Sequence, residues 1–206
     1  MKVLRFVNSV FTSNTYLIQI GSDNGTWVID PGDSRPIIQW LSGNDKYVKG
    51  ILITHSHFDH IYGINDLYEL YPQADVYASE YAREGMFSAK LNSSYYTENP
   101  FVVNIIPVNI VSENDSIYLS AKVFAKVIYT PGHNRDCLSY LIGKNLFTGD
   151  ALIPGIKVQT KSKHSNKAQA IYSIRRIFEQ FDDETMIWPG HENNCLLCDL
   201  RYTTDI

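Results

Sequence analysis

Between Thr54 and His60 the chain reads T-H-S-H-F-D-H, which places three of its six histidines and a carboxylate within six residues, directly after the apolar run Gly50-Ile51-Leu52-Ile53. The apolar run predicts a buried strand, Ile51 to Thr54, and the polar cluster requires the chain to turn at once, because His55 and His57 would otherwise point the same way along a strand end. Neutral imidazoles and an ionised carboxylate gathered at one strand end suit zinc or a similar first-row divalent ion. Without a metal, three close histidines repel on protonation and leave ring nitrogens to satisfy. A lone histidine fits a structural role better than a metal site; a cluster of this density reverses that preference.

The chain has 206 residues, 44% of them hydrophobic. That is enough to bury a sizeable core, and a single domain over residues 1–206 is expected. A net charge of −4 argues against a general nucleic-acid surface. The N-terminal segment Met1 to Phe6 is too short and interrupted for a secretory apolar region, and no apolar run approaches a membrane span. Three cysteines, an odd number, provide no disulfide framework and suit a reducing compartment. The expectation is a cytoplasmic protein acting on a small molecule, without nucleic acid or membrane; no oligomeric state is implied. Cys195-Leu-Leu-Cys198 has the C-x-x-C spacing of redox and zinc sites, but with no second pair and no βαβ start beside it, half-buried thiols under a terminal turn are the expectation.

Strands are predicted at Val3–Val7, Thr15–Ile20 and Thr26–Ile29, the last ending in the turn Asp30-Pro31-Gly32-Asp33. A helix over Pro36–Leu41 has Ser34 as its candidate cap. Apolar residues at Ile61, Ile64, Leu67, Tyr68 and Tyr71 predict a helix entered at His60. A short strand follows at Val76–Ala78. Residues Gly85 to Pro100 lack periodicity and read as a loop or lid. From Phe101 the pattern returns to β, through Tyr118–Leu119 and Val123–Tyr129. Leu138–Ile142 and Leu146–Thr148 form a hairpin across Gly143-Lys144-Asn145. Asn166-x-x-Gln169 matches a capping box, and Ile171, Ile174, Phe178 and Phe181 form the apolar stripe of the helix behind it. Met186–Trp188 is the last strand.

Three further strand ends each deliver one candidate ligand: His133 after Thr130-Pro131-Gly132, Asp150 after Phe147-Thr148-Gly149, and His191 after Trp188-Pro189-Gly190. Each follows a β run and a glycine, where the backbone can turn a side chain into a shared cleft.

The ordered set T-H-S-H-F-D-H, T-P-G-H, F-T-G-D and W-P-G-H resembles the metallo-β-lactamase-fold hydrolases over most of the chain, and Val28-Ile29-Asp30-Pro31-Gly32 is similar to that family's early turn. The resemblance implies an α/β (α+β) fold, a four-layer αββα sandwich with a dinuclear site at one edge. It implies two divalent metal ions, Zn2+ first, with Fe or Mn as alternatives. His55, His57 and His133 would hold one ion, Asp59, His60 and His191 the other, with Asp150 bridging; Asp59 would also orient the attacking water. Histidines at positions 57 and 60 are similar to the glyoxalase II (hydroxyacylglutathione hydrolase) branch, which implies hydrolysis of a thioester or related ester by hydroxide generated on the metals. Glyoxalase II enzymes hold glutathione with a C-terminal helical region, whereas this sequence runs fifteen residues past His191, so recognition of glutathione is not carried over.

Two other readings use the same residues. One is persulfide oxidation at a single iron, which consumes O2 in place of water; the other is a non-catalytic metal-bound interaction module, which predicts a closed ligand sphere. RNA cleavage is disfavoured by the acidic balance. In the aperiodic segment, Asn92, Tyr95 and Tyr96 are the candidate substrate contacts, as parts of a lid. His164, in Lys161-Ser162-Lys163-His164-Ser165, reads as part of a solvated loop with at most a minor part in substrate contact.

Overall fold

The structure, a computed structural model, describes residues 1–200. The chain divides into two compact units, residues 1–110 and Val111 onward, and each is built on a six-stranded mixed sheet.

In the first unit the strands lie in sequence order: β1 (Lys2–Val7), β2 (Asn14–Gln19), β3 (Gly25–Ile29), β4 (Tyr47–Leu52), β5 (Asp75–Ala78) and β6 (Asn109–Ile110). Short turns join β1, β2 and β3, which pair antiparallel; β3 to β6 pair parallel. Parallel neighbours need a crossover, and α1 (Ser34–Gly43), α2 (Ile64–Leu70) and α3 (Glu80–Met86) lie in those connections. Ile37 and Leu41 of α1, Ile64 and Leu67 of α2 and Ala82 and Met86 of α3 share one core with Leu17, Val28, Ile51 and Val76 of the sheet. Every residue of β3 is buried, the pattern of a strand covered on both faces.

The second unit orders its strands β12-β11-β10-β9-β8-β7. They are β7 (Ser116–Tyr118), β8 (Phe124–Tyr129), β9 (Leu138–Ile142), β10 (Asn145–Gly149), β11 (Met186–Pro189) and β12 (Cys195–Leu196). Only β10 and β11 run parallel, and α4 (Lys167–Gln180) makes that crossover. Ile174 and Ile177 of α4 pack on Ile128, Leu146 and Ile187 of the sheet, with Leu197 and Leu200 of the short α5 (Leu197–Leu200). Asn166 caps α4 as its spacing predicts, its Oδ1 accepting from Gln169 N at 3.0 Å. The hairpin turns on Gly143, whose φ of +61° is left-handed and suits glycine.

Four regions differ from the sequence expectations. Residue 33, not Ser34, is the cap position of α1, and it makes no side-chain cap bond. The Asp33 carboxylate is engaged elsewhere, accepting from Ser9 N, Ser9 Oγ and Tyr62 Oη at 2.6–2.8 Å. The helix predicted from His60 starts at Ile64, because Phe58–His60 forms a 3-10 turn and the chain then passes tightly over Gly63. A Cβ at Gly63 would lie 1.9 Å from the Gly32 carbonyl oxygen, so periodicity at Ile61 belongs to the turn's packing, not to a helix. The return to β expected from Phe101 begins only at β6 and continues in β7 and β8 as expected; before it, Pro100 and Pro107 bracket an irregular stretch in which Ile105 is solvent-exposed. The aperiodic segment itself begins inside α3 and contains a second 3-10 turn, Ser94–Tyr96.

Candidate metal centre

In the first unit the donors sit just beyond β4. His55 and His60 are fully buried, Asp59 is buried, and His57 is half-buried. The His55 ring stands 4.8 Å from the His57 ring and 4.3 Å from the His60 ring, centroid to centroid. Asp30, at the end of β3 with φ +51°, organises them. Its Oδ1 accepts from Thr54 N at 2.8 Å and its Oδ2 from Thr54 Oγ1 at 2.5 Å, with His60 Nδ1 3.2 Å from Oδ2. Burial pushes the Asp30 carboxyl up, and the bonds from His60 and Thr54 oppose it. Thr15 Oγ1 of β2 donates to the Asp30 carbonyl at 2.6 Å, and Ser13 Oγ, just before β2, to the Asp59 carbonyl at 2.6 Å, so the entry to β2 holds both turns in place.

These contacts assign the imidazole tautomers. A carboxylate only accepts, so His60 carries its proton on Nδ1. Thr54 gives its single hydroxyl proton to Asp30, and so the Thr54 oxygen, 3.0 Å from His55 Nδ1, accepts from that nitrogen. In the second unit His133 Nδ1 lies 3.1 Å from the Gln159 carbonyl oxygen, again an acceptor only. All three rings therefore present the Nε2 lone pair, the arrangement that orients metal-binding histidines.

The second unit's donors lie at three strand ends: His133 after β8, Asp150 after β10 and half-buried His191 after β11. Gly132 sets the first of these turns with φ +142°, and a Cβ there would lie 2.3 Å from the Ala170 backbone of α4. Asp150 Oδ2 stands 3.4 Å from His133 Nε2 and 3.5 Å from His191 Nε2; in the first unit His60 Nε2 stands 3.4 Å from Asp59 Oδ2. Two ligands about 2.1 Å from one ion at the tetrahedral angle are separated by about 3.4 Å. The spacings thus fit pairs of ligands around shared divalent ions, and the N and O donor set suits zinc or a neighbouring first-row metal. Asp30, His55 and His60 also offer atoms within 4.8 Å of one another, but both Asp30 oxygens already accept bonds, which makes Asp30 a support for the ligands and not one of them.

The aperiodic loop joins this region through Phe58 N, which donates to Asn92 O at 2.9 Å. Asn92 is fully buried, its Nδ2 donating to the Phe101 carbonyl and its Oδ1 accepting from Ser94 N. The loop therefore presents Tyr95 and Tyr96, 54% and 82% exposed, and not Asn92. His164 is half-buried in its loop. Cys137, Cys195 and Cys198 are free thiols, and burial, with nearby Asp199, pushes Cys195 and Cys198 up, away from the thiolate a redox or zinc role needs.

Two supports had weak or no sequence signal. The Gln159 carbonyl is a backbone group and leaves no residue signature; Thr54 sits in the motif, but its relay depends on Asp30, twenty-four residues away.

The metallo-beta-lactamase superfamily model matches residues 8–191, and the chain belongs to that superfamily. It is 27% identical over 204 residues to a probable metallo-hydrolase of Streptococcus pyogenes serotype M6, covering 96% of this chain and 87% of that protein. It is 29% identical over 185 residues to the hydroxyacylglutathione hydrolase of Buchnera aphidicola, covering 89% of this chain; it spans 64% of that relative's length. Among solved structures, BLEG-1 B3 metallo-beta-lactamase superposes with a TM-score of 0.90 at 23% identity, covering 98% of both chains. TTHA1623 in a di-iron-bound form gives 0.85 at 22% identity with the same coverage. The two mixed sheets with flanking helices are thus the α/β metallo-β-lactamase fold expected from the motifs. No helix of the described residues is long and apolar enough to cross a membrane.

Proposed function

We propose that the protein is a dinuclear metallo-hydrolase acting on a thioester or related ester of a small molecule in the cytoplasm. His55, His57 and His133 would hold one ion and Asp59, His60 and His191 the second, with Asp150 as the ligand proposed to be shared between them; zinc is the proposed metal. The observation that carries this reading is Asp150 Oδ2, set one tetrahedral edge from the ligand nitrogens of both His133 and His191. Likeness to hydroxyacylglutathione hydrolases supports the thioester, and the free cysteines suit a reducing compartment.

Two divalent ions in this donor set supply Lewis-acid polarisation of a carbonyl and an acidified water to attack it. The protein's own contribution is pre-organisation. The relay from His55 through Thr54 to Asp30, the His60–Asp30 contact and the His133–Gln159 bond hold three imidazoles in one tautomer and orientation before substrate arrives. Asp59 orients the attacking water, with its backbone carbonyl fixed by Ser13. A thiolate leaving group needs little protonation, so no further acid is required. Tyr95 and Tyr96 cover the substrate as a lid.

The test is a panel of thioesters, lactones and phosphodiesters given to metal-analysed protein. Thioester turnover that rises with metal content up to two ions per chain is the expected result. Oxygen uptake on a persulfide with one iron bound, or turnover confined to phosphodiesters, would overturn the reading.

A further inference from the structure

The segment from Lys157 to Lys167 carries four lysines, Lys157, Lys161, Lys163 and Lys167, and no carboxylate, in a chain whose net charge is −4. Two other cations of this unit are matched: Lys144 pairs with Glu184 and Arg176 with Glu113. None of the four segment lysines is in a salt bridge among the described residues. Two of them, Lys157 and Lys167, line a shallow cleft, open to solvent, whose other walls are Val158, Thr160 and the Ala170, Ile171 and Ile174 face of α4. The cleft adjoins the metal centre through the backbone, since Gln159, between the lining residues Val158 and Thr160, is the residue whose carbonyl accepts from His133 Nδ1. Asn166 N donates to the Gly132 carbonyl at 2.8 Å, which pins the segment's other end to the same turn.

An apolar wall rimmed by unmatched ammonium groups is complementary to one kind of ligand: an aliphatic stem ending in an anion. Burying the stem uses the isoleucine face, and the charge remains at the wet rim, where lysine binds oxyanions as a point charge. We propose that this cleft is a binding site for a carboxylate carried on a short aliphatic chain, and that it receives the carboxylate-bearing end of the substrate. The second half of the statement rests on the hydrolase reading above; the first does not.

The experiment titrates hexanoate, 1-hexanol and inorganic phosphate into the metal-loaded protein by calorimetry, alongside the double variant Lys157→Gln/Lys167→Gln. Neither lysine is among the proposed metal ligands, so metal content should be unchanged. Hexanoate is expected to bind at least tenfold more tightly than 1-hexanol or phosphate, to weaken at high salt, and to lose tenfold or more in the variant. Equal binding of hexanoate to both proteins would place the carboxylate on the metals and overturn the site; phosphate binding as tightly as hexanoate would overturn the aliphatic specificity. With a pair of thioesters differing only in a terminal carboxylate, the variant should raise KM for the carboxylated one alone, at unchanged kcat. Equal KM changes for both would overturn the substrate role. Loss of all thioester turnover with hexanoate binding intact would count against the hydrolase reading and leave the carboxylate site standing.

Discussion

At the scale of single residues, the centre depends on groups that hold ligands as well as on the ligands. Thr54→Val keeps the volume and removes the one hydroxyl that accepts from His55 and donates to Asp30. Metal affinity should fall by about 10–100-fold, as for other supports of metal-bound histidines, with the fold retained; unchanged affinity by chelator competition would show that the relay is dispensable. Asp150→Ala should lower metal content and activity together, because a carboxylate between two cations offsets their repulsion. A variant that keeps two ions and full turnover would remove Asp150 from the bridge. All seven proposed donors were legible in the sequence, since each is a histidine or aspartate just past a β run, four of them within one dense motif and three following a glycine. The groups that orient them were less so. A backbone carbonyl such as that of Gln159 carries no residue signal, and Thr54, inside the motif, supports His55 only through Asp30, a neighbour that tertiary structure supplies.

At the scale of elements, the contacts of Asp33 tie the β1–β2 loop and Tyr62 to the start of α1. Burial raises the Asp33 carboxyl, but the bonds from Tyr62 and Ser9 outweigh it and hold the group below the usual carboxylate value. A depressed folded-state pKa contributes stability that is present above the unfolded value and lost as pH falls through the folded one. Wild type should therefore exceed Asp33→Asn in denaturation midpoint at about pH 5, and the gap should close as the pH drops below 3.8; a gap independent of pH would assign the effect to shape alone. The aperiodic loop gives a second case. Its aromatic residues could equally pack on the core, but Tyr95 and Tyr96 are exposed, which leaves them available to the proposed lid. Replacing both by Ala should leave Tm and metal content unchanged while altering KM or kcat. A loss of several kcal/mol, as buried aromatics give, with kinetics untouched, would return them to the core. Strand β6 shows the opposite failure: apolar residues after Phe101 mimic a strand, yet the prolines at 100 and 107 remove ladder donors and the chain stays irregular.

At the scale of the whole molecule, the proposed ligands are divided between two units: four donors follow β4 in the first, and three follow β8, β10 and β11 in the second. Neither set alone satisfies two ions, since four and three donors leave at least one ion short of tetrahedral coordination by protein groups. If the sets close on shared ions, metal binding stabilises both units at once, by about 2.7 kcal/mol when free metal is a hundred times its dissociation constant. Hydrogen exchange should then slow together in residues 54–60 and 130–133 as metal is added, with no condition in which one segment is protected and the other is not. Elemental analysis of the fully protected protein should reach two ions per chain. Protection that appears in two separate steps, each confined to one segment, would mean that each unit holds its own ion, and the bridging role of Asp150 would fail with it. A stoichiometry that stops at one, with protection still gained in both segments, would keep the shared site but make it mononuclear, and the chemistry to test would become oxidation by O2 in place of hydrolysis.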